Sequence, residues 1–121
     1  MAFIKHYWKS ILWVTGILYA SFTPSSSIDE RLYFFKHQDK IIHIGMYFVL
    51  SFLVASDIFT SAQLQTRTYI ILFALIVIFS GCIEILQPII ANRSNEIADV
   101  VANGIGTFLG LLIFYIKKGR I

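Results

Sequence analysis

Three apolar runs, residues 41–60, 68–90 and 97–116, each come close to the roughly 20 residues with which an α-helix crosses a bilayer. In hydrocarbon every unpaired backbone N–H and C=O costs several kcal/mol, so only helices and closed barrels span membranes. The rest of the chain agrees: 57% of its 121 residues are hydrophobic and only 14% are charged, more apolar surface than so small a soluble domain can hide. The expected fold is therefore all-α, a single domain over residues 1–121 built as an integral membrane bundle of four transmembrane helices. The weakest span, from about Tyr7 to Thr23, is preceded by Lys5 and contains Lys9, and its short apolar stretch ending "YASFTP" shares features with a secretory signal. We read it as a retained first helix, because its removal would leave three spans and place the termini on opposite sides. Pro24 and Pro88 fall where spans one and three should stop.

Orientation follows from the basic residues. With the N-terminus cytoplasmic, the inside carries Lys5, Lys9, Arg67, Lys117, Lys118 and Arg120, and the outside Arg31, Lys36, Lys40 and Arg93. That bias, sharpened by the C-terminal "KKGR", places both termini inside, in a multi-pass protein of the cell membrane. In the first outer loop, "SSSIDERLYFFK", Ser27 and Glu30 have capping-box spacing, and Ile28, Leu32 and Phe35 share a helical face. A short interfacial helix is expected there. The net charge of +3 comes from dispersed Lys and Arg with no basic run interleaved with aromatics, so the expected partners are membrane lipids and not nucleic acid. The lone Cys82 reads as a small buried hydrophobe, and Asp57 as an interfacial charge.

The spans also carry polar residues at one side of the membrane. On the second, Asp39, His43, Tyr47 and Ser51 recur every four residues and so share a stripe; on the third, Ser80, Glu84 and Gln87 do, and on the fourth, Asp99, Asn103, Gly106 and Gly110. At about 1.5 Å of rise per residue, the stripes form two layers. Asp39, Lys40, Gln87, Arg93 and Asp99 belong near the outer interface, and His43, Glu84 and Asn103 inside the bundle. Gly106 and Gly110 form a G-x-x-x-G pair, which lets one helix approach another closely. Asp39, Lys40 and Asp99 taken singly fit solvated helix starts, and Asn103 and Gln87 fit packing between helices. Glu84 and His43 lie too deep for that, and an ionisable residue at depth faces a partner or a cavity. Pairing of Glu84 with Lys40, His43 or Arg93 would serve either a structural pin or a site. A metal at His43, Glu84 and Asp99 lacks any diagnostic ligand spacing, and no phosphate loop, nucleophile elbow or HExxH is present, so neither metal nor cofactor is expected.

"DKIIHIGMYFVLSF", then "EILQ", an Arg and "ADVVANGIG", resembles the VanZ-like membrane protein family, whose pattern runs Asp-Lys-x-x-His with a following Tyr, then Glu-x-x-Gln, Arg, Asp, Asn and Gly. Asp39, Lys40, His43, Tyr47, Glu84, Gln87, Arg93, Asp99, Asn103 and Gly106 fill those positions. The resemblance implies a cell-envelope role of the teicoplanin-resistance kind. The resulting expectation is a polar pocket facing the envelope that binds an anionic lipid, a cell-wall precursor or a glycopeptide antibiotic through those residues. Two alternatives stand beside it: a membrane-embedded enzyme using His43 and Glu84 as an acid–base pair on a lipid-linked substrate, with Asp99 as a further catalytic candidate, and a structural membrane subunit.

Overall fold

The computed structural model describes residues 2–22, 38–59, 65–90 and 97–118, which form four α-helices: α1 (Ala2–Ser21), α2 (Gln38–Ile58), α3 (Thr66–Ile90) and α4 (Ile97–Lys118). No strand occurs among the described residues. The last three helices coincide with the three apolar runs, and each is long and apolar enough to cross a membrane. α1 is less apolar, because it starts ahead of its apolar stretch and takes in Lys5, His6, Lys9 and Ser10. The interfacial helix expected around Ser27–Phe35 lies outside the described residues. α3 runs through Pro88 to Ile90, so this proline sits in the final turn instead of marking the stop. There its missing N–H deprives the Glu84 carbonyl of one helical bond without ending the helix.

Polarity is arranged inside out. Side chains such as Ile70, Leu75, Ile78 and Ile85 of α3 stand more than half exposed, whereas Ser51, Ser80, Glu84, Gln87, Asn103 and Thr107 are buried. A bilayer rewards that arrangement, since lipid accepts the isoleucines and helix neighbours satisfy the polar groups. Cys82 belongs to the outward face of α3, one position from the inward Ile83, and is exposed, not buried as its apolar surroundings suggested.

α2 and α4 run parallel and share the most extensive contact of the bundle, with α3 antiparallel to both. α1 runs alongside α3 and packs on α2, where Trp13 Nε1 donates to the Met46 carbonyl at 2.8 Å and Ile17 enters a core with Tyr47, Leu50, Ile76 and Ile83. A second apolar cluster closes the other half of the bundle around Ala55, Leu72, Leu111 and Phe114. Phe52 and Phe59 meet the Phe114 ring edge-on, with centroids 5.6 and 5.8 Å away, a favoured aromatic geometry.

Candidate functional site

The α4 glycines decide how close α2 and α4 come. A methyl group built on Gly106 would overlap the Ile44 carbonyl oxygen, and one on Gly110 would overlap Ser51 Oγ and the Phe48 carbonyl oxygen. Neither position has room for a side chain, so the two backbones lie in direct contact, as small-residue motifs in membranes permit. The register this sets carries up the helices toward their N-terminal ends.

There it places Lys40 opposite Asp99, with Nζ 2.5 Å from Oδ1, in a partly buried ion pair. One turn deeper, His43 Nδ1 lies 2.8 Å from Asn103 Oδ1. The other end of the same amide reaches α3, Asn103 Nδ2 donating to Ser80 Oγ over 2.6 Å. Ser80 is in turn hydrogen-bonded to the hydroxyl of Tyr47, back on α2. A continuous chain, His43–Asn103–Ser80–Tyr47, thus crosses three helices, and its last three members are at most 2% exposed. In this arrangement Asn103 Oδ1 accepts, so Nδ1 of a neutral His43 carries the proton and Nε2 keeps a lone pair. Thr107, one turn below Asn103, returns its hydroxyl to the Asn103 carbonyl at 2.8 Å and adds no further link.

Glu84 is 4% exposed on α3, one turn from Ser80. Gln87 turns elsewhere: its Nε2 donates to the Ser21 carbonyl at 2.9 Å, tying the C-terminal end of α1 to α3. The side chain of Asp39 and all of Arg93 lie outside the described residues. Ser80, which sequence spacing put on the right stripe but which carries no charge to single it out, proves to be the link between α3 and α4. Asp57, at the end of α2, is 9% exposed and accepts a hydrogen bond of 2.6 Å from Ser10 of α1, which covers it. Among the described residues no three His, Cys, Asp or Glu side chains are grouped to hold a metal ion.

The polar chain, the ion pair above it and the glycine contact that sets their register all lie within one match, for a VanZ/LLP1 family model covers residues 2–118. The chain belongs to the VanZ/LLP1 family. No curated protein and no solved structure matches it. In this VanZ/LLP1 chain the cluster has two chemical faces. At the N-terminal ends of α2 and α4, Lys40 and Asp99 present opposite charges side by side, able to meet a ligand carrying both an anionic group and hydrogen-bond donors. Below them, His43 is half-buried and backed by an amide that fixes its ring, leaving one nitrogen as a base or acceptor.

Proposed function

We propose that this VanZ/LLP1 protein is a four-span membrane protein, with α1 as the first span and both termini cytoplasmic, whose polar cluster faces the cell envelope and binds an anionic lipid, a lipid-linked cell-wall precursor or a glycopeptide. In that role Lys40 receives the anionic group, Asp99 receives donors, and His43 and Asn103 form the floor, with Asp39, Tyr47, Glu84, Gln87 and Arg93 completing the family's set. The observation that carries the reading is the cross-helix chain beneath a charged pair. Polar and ionisable groups at this depth are costly, about 3 kcal/mol for one charge at the centre of a span, and residues placed so usually serve a pathway or a ligand. A resistance role would follow if the ligand were a glycopeptide or its target.

The test is mass spectrometry of lipids retained by gently purified protein. An envelope lipid carried by the unsubstituted chain and lost in Lys40→Ala supports the reading; identical lipid profiles, with normal membrane abundance of both proteins, overturn it. A second reading is favoured by one feature, the Nε2 lone pair of His43. An acid–base enzyme acting on a lipid-linked substrate would use that nitrogen, with Glu84 as its charged neighbour. Under this reading His43→Gln keeps the lipid bound yet abolishes function in cells.

A further inference from the structure

At the end of the bundle remote from Lys40 and Asp99, α3 and α4 diverge around a groove of about 520 Å³ lined by Tyr69, Ile70, Phe73, Phe108, Leu112 and Tyr115. Its volume falls within the range of about 300–1,000 Å³ typical of small-molecule sites. The rings of Tyr69 and Tyr115 meet edge-on at its inner end, with centroids 5.7 Å apart. Two residues beyond each tyrosine along its helix stand Arg67 and Lys117, both exposed, and neither forms an ion pair among the described residues. At about 1.5 Å per residue these cations sit within about 3 Å, along the helix axes, of the level of the tyrosines.

We infer that this groove holds one anionic phospholipid, its acyl chain against Phe73, Phe108 and Leu112 and its phosphate beside Arg67 and Lys117. The groove and its surroundings match two parts of that molecule: an apolar trough for the chain and two exposed cations near the end of the trough for the phosphate. A zwitterionic lipid fills the trough equally well but gains less from the cations. Basic residues near an anionic membrane surface each contribute about a fivefold preference. The site is separate from the polar cluster and does not depend on what that cluster binds.

Native mass spectrometry of the purified full chain, with equal amounts of phosphatidylglycerol and phosphatidylcholine added, tests the assignment. The expected result is one phosphatidylglycerol retained with a preference on the order of tenfold or more from the two charges together. Arg67→Gln with Lys117→Gln should bring that preference close to one while the fold is kept, since neither residue belongs to a core cluster. All of these comparisons are made on a Lys40→Ala background, in which the polar cluster has lost the group proposed to receive an anionic lipid, so that the phosphatidylglycerol preference reports this groove alone. Equal retention of the two lipids would mean ordinary boundary lipid only and would overturn the inference. So would a preference that survives in the Arg67→Gln, Lys117→Gln chain.

Discussion

Gly106→Ala is the sharpest perturbation of the contact on which the site's register depends. The added methyl carbon would lie 2.9 Å from the Ile44 carbonyl carbon and 3.0 Å from its Cα. Unstrained carbon pairs sit at about 3.5 Å or more, so α2 and α4 must part by at least about 0.5 Å, because both obstructing atoms are backbone and cannot rotate away. A gap of that size forfeits about a quarter of the attraction at each contact it opens. Overpacking a tight interior costs about 1–3 kcal/mol, and loss of the His43–Asn103 hydrogen bond, less than one turn away, adds about 1 kcal/mol. The expected destabilisation is therefore about 2–4 kcal/mol, the sum of those two effects. It is read as a shift in the unfolding midpoint in mild detergent, followed by the fluorescence of Trp8 and Trp13. Gly81→Ala is the control, for nothing lies within 4 Å of a methyl at that position. In a helix that change should be neutral or stabilising by up to about 1 kcal/mol. Should Gly106→Ala behave like Gly81→Ala to within about 0.5 kcal/mol, the close approach of α2 and α4 is wrong, and the register of the polar cluster falls with it.

Three further outcomes follow. A double-mutant cycle on His43→Ala and Asn103→Ala should show coupling above about 0.5 kcal/mol in detergent unfolding, the limit within which independent sites add; no coupling would break the cross-helix chain. Ser10→Ala removes one of the hydrogen bonds to buried Asp57 and should cost about 1–3 kcal/mol, against almost nothing if Asp57 were solvated at an interface. On a Cys82→Ala background, cysteines at Ser26 and Ser94 should react with a membrane-impermeant thiol reagent in intact cells, while one at Gln65 stays protected until the membrane is opened. Labelling at Gln65 alone would invert the topology.

What the sequence discloses and what it hides can be traced residue by residue. The helices are legible because twenty apolar residues in a row leave the backbone few choices in hydrocarbon, and three of the four stand where those runs predict. The G-x-x-x-G spacing announces a close helix contact, and the partner turns out to be α2, which no spacing within α4 could name. Four-residue periodicity correctly puts Tyr47, Ser51, Ser80 and Asn103 on inward faces, since a helix returns to the same side every turn. Periodicity within one helix does not reveal which residue of the next it meets. Hence it is Ser80 that Asn103 meets on α3, and Gln87 reaches back to α1 instead of toward the cluster. Cys82 misleads because a small apolar residue in a buried-looking run faces outward from the bundle. In a membrane, apolar character does not distinguish inside from outside.

The central claim, that the charged pair over the polar chain serves a ligand and is not merely a pin for the bundle, is tested most directly by replacing the pair with apolar residues of similar volume. Lys40→Met together with Asp99→Leu removes both charges at once, and such exchanges at buried ion pairs are often neutral or stabilising by about 1–4 kcal/mol. Two quantities are measured on the same preparation: the unfolding midpoint in detergent and the profile of co-purified envelope lipids. The account predicts that the midpoint stays at or above that of the unsubstituted chain while the bound lipid is lost. A lowered midpoint with the lipid profile unchanged would contradict it and make Lys40 and Asp99 structural residues.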